Sequence, residues 1–137
     1  MLDRRLDFVG ELDRAGVPVL AGTDAGDLQF VIPGFSLHDE LASLVRAGLS
    51  PMRALQAATV EPARMLGLAD SLGTVEAGKI ADLVVLDADP LADIRNTTRI
   101  HTVLVRGRRI SPEQRARMLA DVASAAAAEP TRLGPVG

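Results

Sequence analysis

The stretch Gly16-Val17-Pro18-Val19-Leu20-Ala21-Gly22-Thr23-Asp24-Ala25-Gly26 constrains this chain more than any other. Its apolar run, Val17 to Leu20, ends abruptly on small residues and a carboxylate. Opened by a glycine and by a proline placed where proline does least harm, the run predicts a short, fully buried strand. In parallel α/β architectures the carboxyl ends of such strands collect ligands and catalytic groups. Asp24 stands at that end. A carboxylate there can ligate a metal, accept a proton or simply cap the loop.

The flanking sequence predicts mostly helix. Leu2, Leu6, Val9 and Leu12 recur at spacings of four and three, an amphipathic helix that stops at Gly16. A loop is expected from about Ala25 to Phe35, with Pro33 and Gly34 inside it. Ser36 reads as an N-cap, with Asp39 and Glu40 in a first turn that favours negative charge. Leu37, Leu41, Leu44 and Val45 form that helix's apolar face, and Gly48 ends it. Ser50-Pro51 opens another helix by the cap-then-proline rule. Glu61-Pro62 then restarts the chain into a short helix ending near Gly67.

From Leu72 onward the character changes. Gly73 to Lys79 predicts a short strand and a glycine turn, and Leu83-Val84-Val85-Leu86 a strand too apolar to face water on either side. Val103–Val105 and Arg108–Ile110 flank Gly107 as a hairpin. Ser111-Pro112 opens a last helix that runs to about Ala128, and the tail from Glu129 to Gly137 is expected to be disordered.

Composition narrows the chemistry. A length of 137 residues is one domain's worth of chain, or part of one. Without cysteine there are no disulfides and no thiolate metal ligands. A net charge of -3 and an aromatic content of 2% argue against nucleic acid as a partner, for want of both attraction and stacking platforms. No apolar run approaches the ~18 residues of a membrane span. The charged start, Met1-Leu2-Asp3-Arg4-Arg5, is unlike a signal region, so a cytoplasmic location is expected.

Few side chains are suited to catalysis. His38 and His101 form neither a His-x-His pair nor an H-E-x-x-H pattern. His38 falls in the first turn of a capped helix, beside the loop after Asp24. It is a candidate to touch substrate there, or else a partly exposed polar residue. His101 precedes an apolar strand and reads as structural. Neither a phosphate-binding glycine pattern nor a G-x-S-x-G nucleophile elbow is present. Lys79 and Asp82 read as turn and strand-entry residues. Asp24 remains the strongest catalytic candidate.

The order of several blocks resembles a known family. Gly22-Thr23-Asp24-Ala25-Gly26, Ser36-Leu37-His38-Asp39-Glu40-Leu41 and Ala47-Gly48-Leu49-Ser50-Pro51 look like the end of a metal-dependent amidohydrolase. Leu55-Gln56-Ala57-Ala58-Thr59, Pro62-Ala63-Arg64 and Leu66-Gly67-Leu68 continue the likeness. The most specific block is Gly73-Thr74-Val75-Glu76-Ala77-Gly78-Lys79-Ile80-Ala81-Asp82-Leu83-Val84-Val85-Leu86-Asp87. Asp93-Ile94 and Val103 to Gly107 follow it. The resemblance is to imidazolonepropionase-like and dipeptidase-like members and covers roughly Val17 to Ile110.

This resemblance implies an α/β fold: the C-terminal fragment of a (β/α)8 TIM-type barrel, its last strand and flanking helices, plus the C-terminal part of a small β-sandwich. Residues 1–68 would end the barrel, 69–110 would belong to the sandwich, and 111–137 would form a terminal helix and tail. Asp24 matches the aspartate that ligates a divalent metal, usually Zn²⁺, and handles the proton of the hydrolytic water. The implied substrates are small amides, lactams or dipeptide-like molecules. The family's His-x-His pair, its lysine or glutamate ligand and its two further histidines have no counterpart here, and a whole barrel needs about 250 residues. The resemblance therefore implies a C-terminal portion completed by an upstream barrel portion or a partner subunit. The alternative is a non-catalytic remnant acting through assembly.

Overall fold

The computed structural model describes residues 2–25 and 31–128. Residues 26–30 of the expected loop, Gly26 among them, and the tail from Glu129 lie outside the described residues. Four helices come first: α1 (Leu2–Arg14), α2 (Ser36–Arg46), α3 (Pro51–Ala57) and α4 (Val60–Met65). Three strands follow, β1 (Leu83–Leu86), β2 (Ile100–Val105) and β3 (Arg108–Ile110), and then α5 (Pro112–Ala128). Among the described residues no helix is long and apolar enough to cross a membrane.

The helix ends are written locally. At the end of α1, Val17 N–H donates to the Leu12 carbonyl at 3.0 Å and Gly16 N–H to that of Asp13 at 2.9 Å. This is the Schellman arrangement, and it needs the left-handed φ of +77° that Gly16 adopts. The same pair of bonds closes α2, from Leu49 to Leu44 and from Gly48 to Val45. There the wrap also brings Leu44 and Leu49 together in the core. At the start of α3, Ser50 accepts from Arg53 N–H at 3.2 Å with Pro51 in the first turn, as the sequence predicts. Ser36 behaves differently. It is the first residue of α2, and its hydroxyl accepts from Ile32 N–H at 2.9 Å, bracing the preceding turn instead of capping the helix.

One core joins these helices. Leu41, Leu44, Leu49, Ala54, Ala57 and Ile94 are buried together, with Val9, Val19 and Ala21 packed against them. Each buried leucine contributes about 1.5–3 kcal/mol relative to exposure, so this cluster is the main apolar anchor of the helical half. Ile94 comes from a short 3₁₀ turn, Ile94–Thr98, that the sequence reading misses. Asp93 nucleates it by accepting from Arg95 N–H at 2.9 Å.

The sheet is antiparallel, in the order β1-β2-β3. Leu83 lies opposite Leu104 and Val84 opposite Val103, so the two apolar stretches pair with each other. Register shifts after Val85, which faces Thr102, because Leu86 faces Ile100. His101 is the extra residue of that bulge. Arg106 and Gly107 make a two-residue turn between β2 and β3, with φ of +49° and +78°, the signs a type I′ turn requires. The turn docks on the approach to β1: Arg106 N–H donates to Asp82 Oδ1 at 2.6 Å and Gly107 N–H to the Ala81 carbonyl at 2.9 Å.

Besides Ser36, three expectations need correction. Val17–Leu20 forms no strand ladder among the described residues, because no neighbouring strand lies beside it. Gly73–Lys79 is a series of bends and turns, not a strand. Gly73 is pressed so closely on α4 that a β-carbon there would meet Val60 Cα at 2.9 Å. β1 also faces water: Val84 is 56% exposed and Val85 42%. The described residues supply no layer over either valine.

Candidate active site

From Val19 the chain runs along the helical half with a period of two. Val19, Ala21 and Thr23 are half-buried, whereas Leu20, Gly22 and Asp24 are exposed. Ala21 N–H donates to the Ala57 carbonyl at 2.9 Å, tying the segment to α3. One face is thus packed and the other open, the side-chain alternation of a strand without its ladder. Asp24 ends the alternation on the open face. Its φ of +51° turns the backbone into the left-handed region, which aspartate enters more readily than most residues. Among the described residues its carboxylate has no hydrogen-bond or ion-pair partner.

His38 lies in the first turn of α2 and is half-buried. Its Nδ1 is 3.0 Å from Thr97 Oγ1. The Thr97 hydroxyl donates its single proton to the Ile94 carbonyl at 2.9 Å. It therefore accepts from His38 Nδ1–H, and in the neutral ring this tautomer leaves the lone pair on Nε2. Phe35 meets the ring edge-on at a centroid distance of 6.4 Å. His38 thus ties α2 to the 3₁₀ turn. Asp24 and His38 share no hydrogen bond. Among the described residues no group of three or more His, Asp or Glu side chains gathers as a metal site would require.

The remaining candidates are structural. His101 Nδ1 lies 2.9 Å from Asp87 Oδ1, where the bulge brings the two onto the surface. Lys79 reaches back to the Ala69 carbonyl at 2.7 Å and the Thr74 hydroxyl at 2.5 Å, closing the turn region as expected. Two groupings escape a reading of the sequence. The Thr97 contact joins residues 59 positions apart. Arg53 on α3 binds Asp13 on α1 at 3.0 Å and Glu61 on α4 at 3.4 Å. The hydrogen bond it donates to Asp13 is the main reason the guanidinium holds its proton even more firmly than usual. Side-chain exposure of 16% for Asp13 and 11% for Glu61 makes this more than a surface pair, although Arg53 itself stays partly wet. It pins three helices, α1, α3 and α4, to one another. No local signal announces either grouping.

Residues 3–110 match the model of the Amidohydrolase family. The chain belongs to that family. Among curated amidohydrolases, the imidazolonepropionase of Thermoplasma volcanium is 36% identical over 92 residues, 65% of this chain and 22% of its own length. The S-triazine hydrolase of Gordonia rubripertincta is 35% identical over 85 residues, 58% of this chain and 18% of its own. The chain thus spans about a fifth of the length of these relatives. Molinate hydrolase superposes with a TM-score of 0.73 at 30% identity, covering 94% of this chain and 30% of that one. A Xaa-Pro dipeptidase with methionine in its active site gives 0.69 at 32% identity, over 77% of this chain and 25% of that one. Hydrolysis at C–N bonds is the chemistry of this amidohydrolase family.

Proposed function

We propose that this chain is the C-terminal part of an amidohydrolase that cleaves an amide or cyclic amide C–N bond with a metal-activated water, and that Asp24 is its contribution to the reacting centre. The observation that carries the reading is Asp24 itself: an exposed carboxylate on the open face of a segment packed on its other side, inside the family match. On this reading residues 1–68 end a (β/α)8 barrel, with Val17–Leu20 as its last strand, α1 as the helix before and α2 as the helix after. Residues 69–110 form part of a small β-sandwich, and 111–137 the terminal helix and tail.

A divalent metal, zinc by family resemblance, would polarise the attacking water when bound. The described residues alone do not fit such an ion. A catalytic zinc takes about three protein ligands, and Asp24 has no further donors grouped with it. The other ligands then come from a barrel portion beyond these residues, in the same polypeptide or in a partner subunit. Asp24's own part is proton transfer: a carboxylate oxygen accepts a proton and returns it to the leaving nitrogen. His38, with Nδ1 engaged by Thr97, would offer Nε2 to a substrate donor. Small amides, lactams and dipeptide-like molecules are the substrate class.

The test joins or mixes the chain with the upstream barrel portion and assays amide and lactam panels, with metal content measured throughout. Asp24→Asn should lower turnover by at least ~10²-fold, the lower bound of general acid–base assistance. His38→Ala should cost much less. Full turnover of the Asp24→Asn protein at normal metal occupancy removes the role assigned to Asp24. A second reading, an assembly module without catalysis, draws on Val84 and Val85, which stand exposed on a strand paired along one edge among the described residues. A stable complex that is inactive with either residue at position 24 favours it.

A further inference from the structure

Between β3 and the first turns of α5 lies an open cleft of about 330 Å³, lined by Arg108, Arg109, Ile110, Gln114, Arg117 and Met118. Its walls are fixed by the local structure. Ser111 and Gln114 close the start of α5 on each other, with Gln114 Oε1 accepting from Ser111 N–H at 2.9 Å. Arg115 then donates to the Ile100 carbonyl at 2.7 Å and holds the helix against β2. Gln114, Arg117 and Met118 consequently share the helix face that looks at β3.

The charge of this cleft runs against that of the chain. Five arginines and one acid, Glu113, fall between Arg106 and Arg117, in a protein whose net charge is -3. Glu113 is engaged by the Ser111 hydroxyl at 2.5 Å. Arg108, Arg109 and Arg117 have no side-chain hydrogen bond or ion pair among the described residues. Three guanidinium groups set against one carboxylate leave two positive charges uncompensated. Guanidinium forks suit oxyanions, because they bind two oxygens at once. Ile110 and Met118 add apolar surface beside them. A cavity of this volume is at the small end of small-molecule sites.

We propose that the β3–α5 cleft binds a phosphate monoester carried on a small apolar body, with Arg109 and Arg117 gripping the phosphate from strand and helix. The two unbalanced positive charges match a phosphate dianion, whereas a carboxylate would neutralise one of them.

The experiment titrates phenyl phosphate into the full chain at low ionic strength, followed by calorimetry and by backbone amide shifts. Saturable one-to-one binding is expected, with shifts centred on β3 and the start of α5. The double variant Arg109→Gln, Arg117→Gln should weaken it by at least about tenfold, the loss of one strong charge-assisted contact. Arg4→Gln with Arg5→Gln removes the same charge from α1 and should leave binding unchanged. Benzoate, with the same ring and one charge fewer, should bind more weakly by a similar factor. The proposal fails if saturation is absent, if both double variants weaken binding equally, if neither does, or if benzoate binds as tightly as phenyl phosphate. Circular dichroism confirms that each variant keeps its helices.

Discussion

Gly10 lies directly against the backbone carbonyl of Ala47, with no room between them for a β-carbon. α1 therefore meets the end of α2 backbone to backbone, and both partners are rigid. Gly10→Ala should destabilise the chain by about 1–3 kcal/mol, the range for overpacking a well-filled contact. Gly22 faces open space and serves as the contrast. Gly22→Ala should be within about 0.5 kcal/mol of neutral, as surface changes usually are. Urea denaturation of the two variants checks the difference, and equal losses would contradict the close approach.

The His38–Thr97 pair sets a tautomer. Because the Thr97 hydroxyl donates to Ile94, His38 should carry its proton on Nδ1. Long-range nitrogen–proton correlation spectra of the neutral ring read this directly. Thr97→Val removes the acceptor and should shift the ring towards its Nε2–H form. The lost hydrogen bond should lower stability by about 1 kcal/mol. A ring protonated on Nε2 in the unmodified protein would show that the threonine is oriented the other way.

Acid should loosen the turn that begins at Asp93. The Arg95 side chain, and after it the Arg95 amide, hold this carboxyl below the usual aspartate range. The folded chain then binds fewer protons here than the unfolded one, so stability rises with pH. The contribution is complete above the ordinary aspartate value of ~3.9 and is lost as pH falls through the lower, folded-state value. Melting temperatures measured downwards from neutral pH should drop less steeply below about pH 4 in Asp93→Asn than in the parent. Identical acid limbs would mean that the pair is not formed in solution.

Apolar surface on β1 and α5 should make the chain sticky. Val84 and Val85 are open to water, as are Leu119 and Val122 on α5. Each square ångström of unburied apolar area forgoes about 25 cal/mol. The chain should bind a fluorescent apolar dye and self-associate with rising concentration. Val84→Thr with Val85→Thr should reduce both effects without lowering the melting temperature. A monodisperse monomer that binds no dye would argue that these faces are covered.

Elements set by near neighbours were legible in the sequence. Ser50-Pro51 announced α3, Gly16 and Gly48 marked helix ends, and Leu83–Leu86 with Val103–Val105 specified a strand pair. What failed was whatever depends on a second partner. Val17–Leu20 has the composition of a strand, but a ladder and full burial both need neighbouring strands. The apolar character of β1 expresses a demand for cover, which the described residues do not meet. Within the candidate site Asp24 stood out, because a lone carboxylate after an apolar run is unusual in local terms. Thr97 and the Asp13–Arg53–Glu61 network did not, since ordinary polar residues acquire their roles only when distant segments meet.

The docking of the Arg106–Gly107 turn on Ala81 and Asp82 has a consequence for the order of folding. A hairpin closed by two residues forms in about 1–10 μs, because little chain entropy is lost in closing it. Its turn then presents two amides, and these capture the residues just ahead of β1. The two bonds set where β1 begins relative to β2, ahead of the bulge at His101 further along the strand. The hairpin thus acts as a ruler for the third strand. Register is fixed from the turn end of the sheet.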